Sequence, residues 1–431
     1  MRSMVEGAAE VQDEFLKRRS PLHRADARSP SPAFAGEERA PSLETRVRSM
    51  NVANAVNIED LRRLAQRRLP RILFDWIDGG AGDETALRQS MDGFAATRFV
   101  PRYLAHISSC DLQKSLFGRT YALPFGLAPV GYVGLFWSGG ELALAEAARR
   151  NNTPFVLSNS AVATIEDIAK IAPDHTWFQL YPARDAGVTR DLIARAAAAS
   201  FEGLVLTVDL PVQAKRERDI RNKFTLPVRY SARNILDGAM HPAWSLQWLR
   251  NGGLPKMGSW AAYAGKDASA EKVAEFMRSQ QHTPQSWADL EAYRAAWKGK
   301  LIVKGLQHPD DARKALAAGC DGIIISNHGG RQFDRGPTPL ESLPAVRQAV
   351  GDKIAVMIDG GVRRGADVLA ALAHGADFVF CGRAVVYGAA AAGLPGALRA
   401  FDILKDELRR TLGQIGLTRI ADVSGEILWR P

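Results

Sequence analysis

Cysteine is scarce in this chain, with only Cys110, Cys320 and Cys381 among its 431 residues. Three scattered cysteines are too few for a disulfide framework, and they do not have the spacing of a zinc site. No cluster of His, Cys and acidic residues has metal-ligand spacing either, so we expect no metal ion. A reducing compartment is the simplest expectation for such a chain, which indicates the cytoplasm.

Long apolar runs are also absent from the sequence. No run approaches the roughly 18 apolar residues of a membrane span, and no hydrophobic core of a signal peptide is present. The apolar fraction of 46% and the charged fraction of 24% are those of an ordinary soluble globular protein. The net charge of +9 favours an anionic partner. A phosphate cofactor, a carboxylate substrate and an anionic lipid surface all fit this charge, whereas we expect no nucleic-acid partner.

The first 50 residues differ in composition from the rest of the chain. They are rich in Arg, Ser, Pro, Ala and Glu and lack a sustained apolar period, which is typical of disorder. We therefore predict a disordered N-terminal extension, residues 1–50, and a single domain, residues 51–431. The domain opens with two helix signals: Asn57 is a candidate helix cap, and Pro70 separates the first helical stretch from a second.

From residue 124 onward, short apolar runs alternate with alanine-rich helical stretches, which is the pattern of a parallel sheet. Eight apolar runs lie at residues 125–129, 155–157, 177–181, 203–209, 301–305, 322–327, 355–359 and 378–383. Eight strands with right-handed crossovers favour the α/β class and a (β/α)8 TIM barrel behind N-terminal helices. A doubly wound open sheet is the alternative, and it is disfavoured because no G-x-G-x-x-G motif follows the first strand.

A long insert interrupts this alternation. About 90 residues separate the fourth apolar run from the fifth, far more than an ordinary βα connection, and we assign the insert to residues 223–300. It combines aromatic with basic residues, namely Trp244, Trp248, Trp260, Arg229, Arg233, Arg250 and Lys256. Such a composition suits a peripheral membrane contact. A soluble lid or a subunit contact fits the composition equally well.

Polar residues stand at the ends of the predicted strands. They are Ser158, Gln179, Tyr181, Thr207, Asp209, Lys304, Asn327, His328, Asp359 and Arg383. The carboxyl ends of the strands carry the chemistry in barrels of this kind. The loops after the seventh and eighth strands are glycine-rich and each adds an Arg, which predicts a phosphate site. That site includes Gly361, Arg363, Gly382 and Arg383.

The loop at residues 326–334 places His328 and Arg331 three positions apart. A neutral His accepts a proton near neutral pH, and an Arg binds a carboxylate through two hydrogen bonds. Lys304 would stabilise negative charge that develops on a bound ring, and Asp209 would stabilise protonated His328. Arg216 would be a second carboxylate donor. The alternative for the loop is a purely structural polar turn, and for Arg216 a solvated charge.

Taken together, these motifs resemble the FMN-dependent 2-hydroxy-acid oxidases and dehydrogenases. That family includes glycolate oxidase, flavin-type L-lactate dehydrogenase and (S)-mandelate dehydrogenase. The resemblance runs from about residue 69 to the C-terminus, and its long insert is similar to that of the bacterial lactate and mandelate dehydrogenases. The matching segments are residues 77–81, 179–181, 207–209, 216–222, 302–305, 326–334 and 359–365.

The resemblance implies an FMN cofactor and oxidation of a lactate- or mandelate-like (S)-2-hydroxy acid to the 2-oxo acid. It implies His328 as the base, Asp209 as its partner, Tyr181 near the substrate hydroxyl, and Arg331 and Arg216 as carboxylate clamps. The implied flavin contacts are Pro129, Val130, Gly131, Ser158, Gln179, Thr207, Lys304, Asp359, Gly361, Arg363, Gly382 and Arg383.

Two positions depart from the family pattern. Trp76 stands where many members have a Tyr that helps to bind the substrate carboxylate, and an indole offers one donor and no acceptor. Ser160 stands near a position that is a bulky Trp in some members, which predicts room for a larger substrate.

The resemblance further implies a peripheral membrane contact on the inner face of the plasma membrane and a quinone as electron acceptor. An O2-using oxidase is the alternative. We also expect a homo-oligomer, a tetramer. A phosphate-binding barrel that acts as an isomerase or lyase, and a flavin-binding protein without turnover, are the competing functions.

Overall fold

Three helices precede the barrel in the computed structural model, which describes residues 51–225, 231–280 and 283–430. They are α1 (Ile58–Arg68), α2 (Arg71–Asp78) and α3 (Thr85–Ala96). The side chain of Asn57 caps α1 by accepting from the Asp60 N–H at 2.8 Å, and Pro70 separates α1 from α2. Both helix signals are therefore confirmed. The predicted disordered extension and Arg229 of the insert lie outside the described residues.

A short antiparallel hairpin follows, formed by β1 (Lys114–Leu116) and β2 (Arg119–Tyr121). Its side chains reach into the barrel: the rings of Phe117 and Trp177 lie 5.6 Å apart, and those of Tyr121 and Phe378 lie 5.7 Å apart. Trp177 and Phe378 stand near the starts of their strands, so the hairpin covers the amino end of the barrel. The apolar-run pattern gave no sign of it, because each strand has only three residues.

Eight parallel strands then close into a barrel in the order β10-β3-β4-β5-β6-β7-β8-β9. They are β3 (Phe125–Leu127), β4 (Phe155–Ser158), β5 (Thr176–Leu180), β6 (Gly203–Thr207), β7 (Lys300–Leu306), β8 (Gly322–Ile325), β9 (Ala355–Asp359) and β10 (Phe378–Cys381). Closure comes from pairing of the last strand with the first, with Val379 opposite Phe125. The predicted TIM barrel is confirmed, and every predicted apolar run overlaps one strand.

Two apolar clusters stabilise this architecture. The smaller fills the barrel interior with side chains such as Val156, Val205, Ile324 and Phe380. The larger lies between the strands and the surrounding helices. The inward and outward faces of each strand are thus both buried, which explains why the strands read as continuous apolar runs rather than as alternating patterns.

Helices surround the barrel. Those between strands are α4 (Val133–Phe136), α5 (Gly140–Arg150), α6 (Ile165–Ala169), α7 (Ala186–Ala198), α13 (Pro309–Ala317), α14 (Pro339–Val350) and α15 (Gly365–Ala373), and five further helices, α8 to α12, lie between β6 and β7. Helices α16 (Arg383–Ala392) and α17 (Leu394–Gln414) follow the last strand. The last two helices approach closely, because a Cβ on Gly388 would lie 2.1 Å from the Gly396 carbonyl oxygen. Only glycine fits that contact.

The insert joins β6 to β7 and is largely helical. Helix α8 (Glu217–Arg221) precedes the insert, whose own helices are α9 (Ala232–Ala239), α10 (Pro242–Arg250), α11 (Ala270–Gln280) and α12 (Trp287–Ala296). Trp260 is fully buried, and its indole N–H donates to the Asn159 carbonyl oxygen at 2.6 Å. In the described part of the chain, every helix is too short or too polar to cross a membrane.

Candidate active site

A cavity of about 910 Å³ opens at the carboxyl ends of the barrel strands. All of the predicted site residues line it except Gln179 and Asp209. These two lie one side chain behind the surface, where Gln179 accepts a hydrogen bond from Ser158 at 3.0 Å and Asp209 contacts His328. The barrel therefore brings together residues that lie as far apart in the chain as Pro129 and Arg383.

His328 is fixed at both ends of its imidazole ring. Its Nδ1 lies 3.0 and 3.1 Å from the two carboxylate oxygens of Asp209, and its Nε2 lies 3.3 Å from the Tyr181 hydroxyl. The backbone at His328 has φ +56°, a left-handed conformation that residues other than glycine rarely adopt. Its N–H donates to Ser326 Oγ at 2.9 Å, which holds this turn. The ring is thus positioned with Nε2 toward the cavity.

Burial and charge set the protonation of this group. Burial lowers the pKa of His328 below its ordinary value, although the carboxylate of Asp209 acts in the opposite direction. Burial alone would raise the pKa of Asp209, but the charge of His328 and its hydrogen bond lower it below the usual range. Burial raises the pKa of Tyr181, so this phenol stays protonated. Near neutral pH the site therefore holds a neutral imidazole beside a carboxylate and a phenol, an arrangement that accepts a proton at Nε2.

Arg331 is half-buried, and the Nη2 end of its guanidinium is buried and unpaired among the described residues. Nη1 donates to the carbonyl oxygens of Trp76 and Gly79 at 2.5 and 2.9 Å, while Nη2 has no partner among the described residues. The guanidinium carbon lies 4.5 Å from the centre of the Trp76 ring. Burial, followed by the charges of Arg216 and Arg383, lowers the pKa of Arg331 well below its ordinary value. An anion bound at Nη2 would relieve both the missing hydrogen bond and the uncompensated charge.

Arg216 provides a second positive charge in the same wall. It immediately precedes α8, and its Nε donates to the Arg331 carbonyl oxygen at 3.3 Å. Asp219, one turn further on, also lines the cavity. Burial raises the pKa of Asp219, and the two arginines oppose that rise. No role was predicted for Asp219, although it lies in the matching segment at residues 216–222.

Near the carboxyl ends of the barrel strands, three buried polar atoms have no partner among the described residues. They are Gln179 Nε2, Thr207 Oγ1 and Asp359 Oδ1, which stand at the ends of three barrel strands. Lys304 joins them: its Nζ donates to Ser326 Oγ at 2.7 Å and lies 3.2 Å from Asp359 Oδ2. Buried polar atoms are normally hydrogen-bonded, so this group fits the polar edge of a bound flavin ring and its ribityl chain. The Ser326 hydroxyl thus connects Lys304 with the backbone of His328. This connection was not predicted, although Ser326 stands in the same loop motif as His328.

The loops after β9 and β10 fit a phosphate group. Gly360 and Gly361 have φ +93° and +92°, and a Cβ on Gly361 would lie 2.4 Å from the Ser90 carbonyl oxygen. Helix α16 begins after Gly382 without a side-chain cap, which leaves its first N–H groups available to an anion. The residues present therefore fit FMN.

The two arginines of these loops differ in what they already bind. Among the described residues, Arg363 donates only to the Val362 carbonyl oxygen, at 2.8 Å. Arg383 donates through three nitrogens to the carbonyl oxygens of Ile77, Gly79 and Gly329, at 2.7 to 2.8 Å. Burial lowers the pKa of Arg383 to about 10. Arg363 is thus the freer donor to a phosphate, while Arg383 ties α2 to the loop that carries His328.

An aromatic wall closes the cavity beside Arg331. The ring of Trp76 lies 5.2 Å from Tyr132, 5.6 Å from Phe136 and 6.0 Å from Phe224. Tyr132 and Phe224 were not predicted, and no spacing in the sequence connects them with Trp76. Ser160 lines the same cavity.

The sequence matches a known family over most of its length. Residues 65–430 match the family described as FMN-dependent dehydrogenase. The (S)-mandelate dehydrogenase of Pseudomonas putida is 40% identical over 375 residues, which cover 87% of this chain and 94% of that protein. The L-lactate dehydrogenase of Caulobacter vibrioides is 39% identical over 369 residues, which cover 86% of this chain and 96% of that protein.

Solved structures with the same fold carry related names. The crystal structure of the monotopic membrane protein (S)-mandelate dehydrogenase has a TM-score of 0.84 and 39% identity, covering 88% of this chain and 100% of that chain. A mandelate oxidase variant with (S)-mandelic acid has a TM-score of 0.73 and 33% identity, covering 87% and 98%. Both dehydrogenases and oxidases are therefore among the similar proteins.

Proposed function

Because the chain belongs to the FMN-dependent dehydrogenase family, we propose that it oxidises an (S)-2-hydroxy acid to the 2-oxo acid. One observation carries this proposal: the buried Nη2 of Arg331, unpaired among the described residues, and the cavity-facing Nε2 of His328 lie in one cavity with Lys304. Arg331 Nη2 suits a carboxylate, and His328 Nε2 suits the proton of a neighbouring hydroxyl or C–H group. The predicted family and its FMN cofactor are confirmed by the family match.

Each side chain would have one task in the reaction. Arg331 and Arg216 would bind the substrate carboxylate and so orient the carbinol carbon toward His328. His328 Nε2 would take up a substrate proton, and Asp209 would stabilise the imidazolium that forms. Tyr181 would donate to the substrate oxygen. When bound, FMN supplies the acceptor for two electrons, and Lys304 would compensate negative charge beside Thr207 and Asp359.

Substrate side chains would pack against the aromatic wall. Trp76 cannot supply the hydroxyl that many relatives carry at this position, and its ring instead covers the guanidinium of Arg331. With Tyr132 and Phe224 beside it and the small Ser160 in the same cavity, this wall favours aryl or longer aliphatic side chains. We therefore expect mandelate and long-chain 2-hydroxy acids to have a higher kcat/KM than glycolate. A clear preference for glycolate would contradict this assignment.

Anaerobic mixing of the purified protein with (S)-mandelate, (S)-lactate or glycolate tests the reaction itself. The yellow absorbance of the flavin should bleach with at least one of these acids. A yellow protein that no 2-hydroxy acid bleaches would point to flavin binding without turnover. A colourless protein that retains no flavin would point to isomerase or lyase chemistry in the barrel.

We further propose that helices α9 and α10 dock the protein on an anionic membrane. Their exposed apolar residues are Ile235, Leu236, Met240, Leu246 and Leu249. Arg233, Arg250 and Lys256 are exposed nearby and unpaired within the described residues, and each basic residue can gain about 1 kcal/mol from anionic lipid. The membrane role expected of Trp260 is wrong, because this residue is fully buried. Trp244 is half-buried, and its N–H already donates to the Leu135 carbonyl oxygen.

Sedimentation with anionic liposomes tests the docking. The intact protein should sediment at low salt, and the double variant Ile235→Ser/Leu249→Ser should stay in the supernatant. The matched control is Val212→Ser, which removes an exposed apolar side chain outside α9 and α10. Docking at the inner face of the plasma membrane would favour a quinone over O2 as acceptor. The tetramer expected from the resemblance stays a prediction, which sedimentation equilibrium can test.

A further inference from the structure

A buried asparagine connects the ends of two neighbouring barrel strands. Asn159 directly follows β4 and is fully buried, one residue away from Ser158 and Ser160 in the cavity lining. Its backbone N–H donates to the Gln179 carbonyl oxygen at 3.1 Å, and its side-chain Nδ2 donates to the Tyr181 carbonyl oxygen at 3.0 Å. One residue thus binds two carbonyl groups at the end of β5, and the second belongs to the residue that carries the active-site phenol.

The side-chain amide takes the place of a backbone donor at this point. Residues two apart on a strand present their carbonyl groups to the same neighbour, so Tyr181 is the next acceptor after Gln179. The chain beyond β4 turns away instead of continuing the pairing, because the Ala161 N–H donates back to the Ser158 carbonyl oxygen at 3.0 Å. Asn159 Nδ2 therefore extends the contact between β4 and β5 by one residue.

The other end of the same amide is not satisfied. Asn159 Oδ1 is buried and has no partner among the described residues. A buried amide oxygen without a hydrogen bond lowers the free energy of unfolding. The reverse orientation of the amide would be worse, because it would place Oδ1 against the carbonyl oxygen of Tyr181. An apolar side chain would avoid this cost, so the property that asparagine supplies here is the donor Nδ2.

A tryptophan of the insert fixes Asn159 from behind. Trp260 is fully buried, and its indole N–H donates to the Asn159 carbonyl oxygen at 2.6 Å. The backbone beside it approaches the same turn closely, because a Cβ on Gly258 would lie 2.4 Å from the Val162 carbonyl oxygen. The insert and the turn after β4 are therefore packed together at Asn159.

We propose that Asn159 is a positioning residue for Tyr181, an inference that rests on the proposed function. The Tyr181 hydroxyl lies 3.3 Å from His328 Nε2, and the position of this hydroxyl depends on where the Tyr181 backbone is held. A displacement of a fraction of an ångström would weaken its hydrogen bond to the reacting substrate oxygen. Trp260 acts one step further back, by fixing the backbone of Asn159.

Three substitutions and one control separate these contacts. Asn159→Ala removes the whole amide, whereas Asn159→Leu removes it and keeps a similar volume. Trp260→Phe keeps a buried aromatic ring and removes the indole N–H. Trp297→Phe is the matched control, because Trp297 is a buried tryptophan of the same insert whose N–H donates to the Lys300 carbonyl oxygen at 3.1 Å, at the start of β7.

Anaerobic stopped-flow reduction of the FMN-loaded protein by (S)-mandelate or (S)-lactate measures the effect. Asn159→Ala and Asn159→Leu should each lower the limiting rate about tenfold and leave the half-saturating substrate concentration nearly unchanged. This split is expected because Tyr181 faces the reacting oxygen, whereas Arg331 binds the carboxylate. Trp260→Phe should lower the limiting rate about threefold, since it acts only through Asn159. Trp297→Phe should not change it.

A double-mutant cycle with Tyr181→Phe distinguishes positioning from general packing. Because Asn159 acts through the Tyr181 hydroxyl, Asn159→Ala should slow reduction little further once that hydroxyl is absent. A merely structural effect would multiply the loss caused by Tyr181→Phe, and that result would overturn the inference. An unchanged rate in both Asn159 variants would also overturn it, as would an equal loss in Trp297→Phe and Trp260→Phe.

A crystal structure of FMN-loaded Asn159→Ala provides a readout without turnover. The Tyr181 hydroxyl should move out of hydrogen-bond distance of His328 Nε2, from which it lies 3.3 Å in the unaltered protein. An unmoved Tyr181 would overturn the inference, even where a 2-hydroxy acid still bleaches the flavin. Failure of the proposed function would be visible separately, as absence of bleaching of the unaltered protein by any 2-hydroxy acid.

Discussion

Two cavities of this protein share Phe224 and otherwise have opposite chemistry: the active-site cavity, and a smaller one of about 280 Å³ between α2 and the insert helices α9 and α10. The larger is lined by Lys304, Arg331, Arg363 and other ionisable groups, whereas the smaller has no charged lining. The first arises at the ends of barrel strands, where several buried polar atoms lack a protein partner. The second arises where two insert helices cover α2, and there the side chains of Asn234, Trp244 and Ser245 each donate to a backbone carbonyl oxygen. The difference indicates that the ends of the barrel strands are built to hold charged groups, whereas the contact between the insert helices and α2 is built from apolar ones.

Changes on the charged side of this comparison should alter flavin reduction, whereas changes in the apolar cavity should not. His328→Ala should have the largest effect. Removal of a positioned base should slow flavin reduction by about 10²-fold or more, while FMN stays bound. Stopped-flow spectroscopy under anaerobic conditions measures the rate. Reduction at nearly the original rate would show that another group takes the proton.

Asp209→Asn should test the role of His328 as base through the pH dependence of flavin reduction. The carboxylate opposes the effect of burial on His328, so its removal should lower the pKa of His328 further. His328 must be neutral to accept a proton, so activity is lost when the pH falls below the pKa of His328. Because that pKa is lower in the variant, its activity should persist to lower pH. Flavin reduction at its optimum should still fall by about 10²-fold, because the imidazolium loses its partner. If the rate of flavin reduction in the variant instead began to fall at a higher pH than in the unaltered protein, this account would be contradicted.

Arg331→Lys should mainly reduce substrate capture. A lysine keeps the charge but cannot both donate to the carbonyl oxygens of Trp76 and Gly79 and present a planar fork to the substrate. We expect kcat/KM to fall about tenfold to hundredfold, with most of the change in KM. Steady-state kinetics with a water-soluble acceptor measures this. A lower kcat at constant KM would instead place Arg331 in the chemical step.

The two phosphate-loop arginines should separate cofactor binding from structure. Arg363→Ala should weaken FMN retention about tenfold and leave the Tm of the flavin-free protein unchanged, since within the described part of the chain Arg363 donates to a single backbone carbonyl. Arg383→Ala removes three hydrogen bonds to α2 and the His328 loop, and so should lower that Tm. Flavin fluorescence after dialysis and thermal unfolding provide the two readouts. Equal Tm values for both variants would refute the distinction.

Trp76→Tyr should have the smallest effect and should act on specificity. A smaller ring opens the aromatic wall and reduces the cover over Arg331, whereas a hydroxyl gains access to the substrate carboxylate. The ratio of kcat/KM for mandelate to that for glycolate should fall by about tenfold or less. Leu249→Ser, on the far side of Phe224, is the matched control and should leave this ratio unchanged.

The fold and the polar half of the site were predictable because their signals are local. Each barrel strand is a short apolar run, and several of these strands carry a polar site residue at or near their carboxyl end, as with Lys304 in β7. The roles of His328 and Arg331 were predictable for the same reason, because both residues lie in one short loop. In contrast, the hairpin at β1 and β2 contributes too few residues to produce a pattern.

The features that were missed depend on distant parts of the chain. Trp76, Tyr132 and Phe224 meet only after the barrel has closed, so no spacing connects them. Composition indicated that Trp260 belonged at a membrane surface, yet a hydrogen bond to Asn159 keeps it in the core. The tertiary environment of an aromatic residue decides between these outcomes, and a single sequence does not contain it.

Burial of Trp260 has a consequence for anyone who treats the insert as a detachable cassette. Its indole is anchored beside Ser158 and Ser160, and the backbone of Arg184 donates to the Gln280 carbonyl oxygen at 2.9 Å. The second half of the insert is therefore part of the barrel wall, and only residues 231–251 form an outer cover. Grafts, truncations and chimeras of this protein should exchange those residues alone. A junction placed at residue 223 would fall beside Phe224 in the wall of the active-site cavity.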